Sequence, residues 1–181
     1  MRYHLGTLFL FFIVSVVGCQ PHGRALASGA SVPTWSVCFS PRGNCTALAV
    51  DTLASAKQTV LVQAYSFTST PIAQALIDAK KRGVQVQVIL DKSQRTEHYS
   101  AADFLLHAGI PVSIDATHAI AHNKVMVIDD QTVITGSFNF TKAAEEHNAE
   151  NLLVLHDRTL AAEYATNWQR HQAHSESYHG K

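Results

Sequence analysis

Short, dense apolar runs separated by amphipathic stretches constrain this chain more than any other feature. Thr59–Tyr65 and Lys124–Asp129 carry apolar residues at both parities of an extended chain, so each needs cover above and below. Extended segments are expected at Thr34–Ser40, Thr59–Tyr65, Val84–Leu90, Pro111–Asp115, Lys124–Asp129, Thr132–Thr135 and, as the last strand, Asn151–Leu155. Helices are expected from an Asn44 cap to about Ala56, from Pro71 to the Arg82-Gly83 stop, from about Ser100 to His107 with closure at Gly109, and from Asn139 to Glu146. A final helix runs from Thr159 to about Gln172, with Leu160, Ala161, Tyr164 and Trp168 at helical spacing. The alternation predicts an α/β fold, a sheet with helices on both faces. With 181 residues, 46% of them hydrophobic, the chain can bury one full core.

Chemistry concentrates between residues 122 and 150, where His122-Asn123-Lys124 is followed by Asp129, Gly136-Ser137-Phe138-Asn139 and Glu150. If residues 122–128 are extended, side chains two apart share a face about 6.6 Å apart. His122 and Lys124 then converge on one phosphate, and Asn139 can join them. A neutral imidazole nitrogen attacks phosphorus and forms a covalent phosphohistidine, splitting one hard displacement into two easier ones. Lys124 and Asn139 supply donors to the non-bridging oxygens as charge develops there. This route requires neither metal nor cofactor. Asp129 lies an odd number of residues from His122, so an unbroken strand points it to the other face, in a supporting role. Ser137 is either a member of the site or the cap of the helix near Asn139. Glu150 is either a site carboxylate or an ordinary strand-end residue.

The spacing HxK(x)4D(x)6GSxN resembles the signature of the phospholipase D superfamily, and the run from Gly136 to Glu145 narrows the resemblance to its small bacterial endonucleases. It extends from about Val37 to Trp168. The resemblance implies a phospholipase D-like mixed β-sheet flanked by helices. It also implies His122 as nucleophile, Lys124, Asn139 and Ser137 beside it, Gly136 and Asp129 as supports, and Glu150 accepting the second N–H of His122 to fix its tautomer. Ala64–Thr68 also resembles the endonuclease subgroup, either as a packed strand end or as a substrate contact. Gln94–His118 carries no motif. Many members of the superfamily hold two HxK motifs, one His attacking and one protonating the leaving oxygen; this chain has one, and no internal repeat. A two-fold homodimer sharing one active site supplies the second His122.

Residues 5–17 form an apolar run after Arg2, too short for a mature membrane span and fitted to an export signal within residues 1–27. Two exits compete. Val16-Val17-Gly18-Cys19 resembles a lipobox that lipidates Cys19, and Ala25-Leu26-Ala27 resembles an ordinary cleavage site. The domain is then 28–181 and the location periplasmic, with a membrane partner only through the lipid anchor, at the outer membrane. In that oxidising compartment Cys38 and Cys45 are expected to pair, with two unpaired buried thiols as the alternative. The bridge is worth roughly 2–3 kcal/mol on the chain-entropy model.

Cleavage after Ala27 leaves 12 basic against 14 acidic residues, a net charge of −2, which excludes a generally basic binding protein. A nucleic-acid substrate, DNA or also RNA, then needs a local patch, for which Lys80, Lys81 and Arg82, then Lys92 and Arg95, beside Lys124 and Lys142, are candidates. His171, His174 and His179 in the tail show no carboxylate or cysteine partner at ligand spacing, so no metal site is expected there. The expected function is that of an exported, metal-independent nuclease. The alternatives are a lipid phosphodiesterase of the same superfamily and an idle envelope module of a DNA-transfer or secretion system.

Overall fold

The structure is a computed structural model that describes Met1 and residues 34–181. The expected export signal, both its exits and Cys19 lie outside the described residues.

Strands β1 (Thr34–Ser40), β2 (Thr59–Ala64), β3 (Gln85–Asp91), β4 (Val112–Asp115), β5 (Lys124–Ile128), β6 (Thr132–Gly136), β7 (Glu150–His156) and β8 (Glu176–Ser177) form one mixed sheet in the order β1-β7-β6-β5-β2-β3-β4-β8. β2, β3 and β4 are parallel; the other pairings are antiparallel. That mixture decides where the site lies. The carboxyl ends of β1, β2, β3, β4 and β6 and the amino ends of β5 and β7 share one edge of the sheet, the edge at which clefts open in α/β folds.

Helices α1 (Cys45–Ala54), α2 (Thr70–Lys81), α3 (Ala102–His107) and α4 (Lys142–Glu146) lie on one side, and α5 (Arg158–His174) on the other. Val60, Val62, Met126, Ile134 and Val154 pack against Ala49, Leu53, Ile72 and Leu76 on the first side. Their strand neighbours of opposite parity, Val125, Val127 and Val133, pack against Ala161 and Ala165 of α5. Trp168 of α5 donates its indole N–H to the Val62 carbonyl at 2.8 Å. The fully apolar strands are therefore the ones covered twice. The outer strand β1 is not: Trp35, Val37 and Phe39 alternate along it, 64%, 39% and 68% exposed.

Cys38 in β1 and Cys45 at the start of α1 form a disulfide with Cα atoms 5.5 Å apart. It closes the turn between strand and helix.

Several boundaries differ from the expected ones, for local reasons. Asn44 is left-handed, with φ 60°, and does not cap α1 through its side chain; the Glu145 carboxylate accepts from the Thr46 N–H instead, at 2.7 Å. α4 does not begin at Asn139. Thr141 is its cap, its hydroxyl accepting from the Ala144 N–H at 3.1 Å. Phe140 stays extended and bridges Phe67. β7 starts at Glu150 and is not the last strand, because two residues after α5 return to pair with β4 as β8. Among the described residues no helix is long and apolar enough to cross a membrane.

Candidate active site

His122 precedes β5 by two residues and is exposed, whereas Lys124, the first residue of the strand, is buried. Lys124 Nζ lies 3.0 Å from His122 Nδ1 and donates to the His122 carbonyl at 2.8 Å. The two side chains therefore converge although the strand does not reach His122. Burial pushes the Lys124 ammonium below the usual lysine range, and the negative charge of Glu150 works against that shift. The Tyr65 ring stands 4.5 Å from the His122 ring, and Lys124 Nζ is 5.2 Å from its centroid. Tyr65 is fixed in turn by its N–H, which donates to the Asn123 carbonyl at 2.8 Å.

Asn139 arrives from β6. The Thr68 and Ser69 N–H groups donate to the Phe140 carbonyl, tying this segment to the chain after β2. The Asn139 amide oxygen is buried and has no hydrogen-bond partner among the described residues, so the amide retains unused bonding capacity. Gly136 is where β6 must yield. Its φ of 146° and a virtual Cβ only 2.3 Å from the Asn151 carbonyl oxygen exclude a side chain there.

The remaining motif residues sit differently. Ser137 does not cap a helix; its hydroxyl accepts from the Asn151 backbone and side-chain amides at 3.1 and 3.3 Å, fixing the start of β7. Glu150 accepts from Asn148 Nδ2 at 3.2 Å rather than from His122, whose Nδ1 lies 3.0 Å from Lys124 Nζ. Asp129 lies at the far end of β5, in a turn with φ 53°. There its carboxylate accepts from the N–H groups of Lys57, Gln58 and Thr59 at 2.8, 2.7 and 2.9 Å. Burial alone would raise this carboxyl, but the three backbone donors hold it below its ordinary value.

Two buried residues outside the motif, Asp91 and Gln94, also brace the cleft edge. Asp91, buried at the end of β3, accepts from the Ser93 N–H at 2.9 Å and the Ala121 N–H at 2.7 Å, so it anchors the residue just before His122. An acid ending an apolar strand at the cleft edge is a readable signal. Gln94 gave none; it accepts from the Phe67 N–H at 3.2 Å. Of the basic candidates, Lys92 and Arg95 follow β3 at the cleft edge and Lys142 lies between β6 and β7, also at that edge. Lys80, Lys81 and Arg82 end α2 at the opposite edge, before β3 begins. The C-terminal histidines also depart from expectation: His171 and His174 meet a carboxylate, Asp115, which lies too far back in the chain for spacing to reveal it.

Residues 49–172 match the family described as cardiolipin synthase, PLD-like domain. The chain belongs to the phospholipase D superfamily. It is 45% identical over 138 residues to a phospholipase D of Rickettsia bellii, covering 76% of this chain and 69% of that one. A mitochondrial cardiolipin hydrolase of Chlamydomonas reinhardtii is 35% identical over 115 residues, covering 64% of this chain and 52% of the other. The crystal structure of a phospholipase D family member, Nuc from Salmonella typhimurium, superposes with a TM-score of 0.79 at 39% identity, covering 82% of this chain and all of that one. As a phospholipase D superfamily member the protein is a phosphodiesterase of the single-motif type, and its fold is the mixed sheet described above.

Proposed function

We propose that the protein is an exported endonuclease that hydrolyses DNA, and RNA as a further substrate, through a phosphohistidine and without a catalytic metal. The observation that carries this reading is the exposed His122 held against Lys124 at an open sheet edge, within reach of a polymer backbone. The likeness to Nuc along the whole of that chain supports it. His122 Nε2 forms a bond to phosphorus as the bond from phosphorus to the leaving oxygen breaks, and an acid protonates that oxygen. Water then attacks phosphorus, the N–P bond breaks, and the acid recovers its proton.

The resting geometry sets a condition on that step. An ammonium donating to Nδ1 leaves the imidazole proton on Nε2, the atom that must attack. A bound phosphate draws Lys124 to its oxygens, which frees Nδ1 to carry the proton toward Glu150. Two charges near each other in the free enzyme thus become separate partners of phosphate and imidazole.

The acid in this proposal is His122 of a second copy across a two-fold axis. The exposed apolar stripe of Trp35, Val37 and Phe39, with the partly buried Leu153 and Leu155 opposite it on β7, supports burial against a second chain. If each cleft needs both imidazoles, mixtures of wild-type and His122→Ala chains after subunit exchange should retain activity as the square of the wild-type fraction. A linear dependence would show a self-sufficient chain.

A lipid phosphodiesterase is the second reading, favoured by the names of the phospholipase D and cardiolipin hydrolase relatives. Purified protein should be tested side by side on supercoiled plasmid and on cardiolipin-containing vesicles. Nicking without headgroup release is the expected result, and lipid hydrolysis with intact plasmid would replace the nuclease reading.

A further inference from the structure

We propose that Asp115, His118, His171 and His174 form a closed, four-ligand zinc site that pins the end of α5 to the end of β4. The Asp115 carboxylate is fully buried, and three imidazoles converge on its Oδ2: His171 Nδ1 at 2.7 Å, His118 Nδ1 at 3.0 Å and His174 Nε2 at 3.3 Å. One potential ligand atom from each residue lies within 4.8 Å of all the others. The three ring centroids are 4.9, 5.2 and 5.4 Å apart. Nitrogen and oxygen ligands about 2.0–2.1 Å from a tetrahedral zinc stand about 3.3 Å from one another, so small side-chain rotations close this set around one ion.

The backbone already places the ligands in two pairs. His118 follows Asp115 by three residues on the loop leaving β4, and His171 and His174 share one face of the last turns of α5. His179 is exposed and takes no part. Three imidazoles and one carboxylate suit zinc, whereas calcium and magnesium demand oxygen-rich sets. Four protein ligands leave no open position for a reacting water, which makes the site structural. Its location agrees, since β4 is three strands from β5, about 14 Å at ordinary strand spacing. The ion would also hold the root of the segment that delivers His122: the His118 carbonyl accepts from Lys92 Nζ at 3.0 Å, and Asp91 grips Ala121 further along.

The test is zinc binding by the exported domain, 28–181, stripped with a chelator and dialysed. After reloading with zinc, elemental analysis of the gel-filtered protein should find zinc equimolar with protein. Zinc at a hundredfold excess over its Kd should raise Tm by about 5–10 °C. Cobalt in its place should give the intense visible bands of a four-coordinate centre. His118→Ala and His174→Ala, at the two more exposed ligands, should each lose retained zinc and the zinc-induced Tm rise while keeping the circular dichroism of the wild type. No retained zinc in the wild type, or equal retention in both variants, would overturn the site and leave a network of His–Asp hydrogen bonds. Neither readout uses phosphodiester cleavage, so the function proposed above stands or falls separately.

Discussion

His122 and Lys124 meet across a sequence separation of 2, whereas Asp115 meets His171 across a separation of 56, yet both clusters sit on the same edge of one sheet. The first is assembled by one chain segment and its nearest strands, and the proposed reaction would rearrange its partners. The second is assembled by the path of α5 across the sheet, and its four side chains are already mutually engaged. Exposure separates them too: the imidazole of His122 is open, while Asp115 is sealed from water. The difference teaches that a sheet edge offers equivalent strand ends to quite different uses. A buried carboxylate already engaged by three imidazoles fits the proposed staple, and an open imidazole fits the proposed reaction centre.

The largest effect tests the division directly. His122→Ala should reduce phosphodiester cleavage by at least about 10⁴-fold, since the proposed shared site would lose nucleophile and acid together. Its effect on stability should stay within about 0.5 kcal/mol, as expected of an exposed side chain. Zinc retention should be unaffected. A variant cleaving at near wild-type rate would move the nucleophile elsewhere, and lost zinc would show that the two clusters are one coupled unit.

Lys124→Ala should cost about 10²–10³-fold in kcat if, as proposed, it donates to the charged oxygens. Because a buried ammonium resists burial, thermal stability should be unchanged or raised. Loss of fold without the lysine would make it part of the framework and blur the contrast.

Asp129→Asn probes the supporting end of β5. It should destabilise by about 3 kcal/mol through weakened acceptance from three backbone N–H groups. Cleavage by the folded fraction should persist. The folded carboxyl is held low, so its stabilisation is present above the ordinary carboxylate range and disappears as pH falls through the depressed value. Melting curves of wild type and variant should therefore converge in acid; parallel curves at all pH values would mean the charge contributes nothing.

The smallest effect belongs to the Cys38–Cys45 bridge. Reduction should lower stability by about 2–3 kcal/mol, a Tm drop of about 5–10 °C, with catalysis retained. Equal loss of activity below the transition would tie the β1 turn to the site.

Much of this was legible before any coordinates. Strands covered on both faces announced themselves by apolar residues at both parities, and a motif within 29 residues announced the superfamily because its spacing is short and can be read along the chain. What tertiary structure decided was less local. Whether Ser137 capped a helix or braced β7 depended on Asn151 arriving beside it. Glu150 could be placed near the site by spacing, but its hydrogen bond goes to Asn148, while Lys124 stands at the imidazole.

The sequence by itself determined the alternation of strands and helices, the family and the candidates for handling a phosphate, since each rests on periodicity or short spacing. Only the tertiary structure decided the sheet order, the split of the basic residues between its two edges, and the union of Asp115 with histidines from the last helix. Those depend on long-range strand pairing and on where a 17-residue helix ends after crossing the sheet. No local pattern encodes that meeting: burial of the α5 stripe against Val125, Val127 and Val133 sets its direction, and the direction brings His171 and His174 to β4.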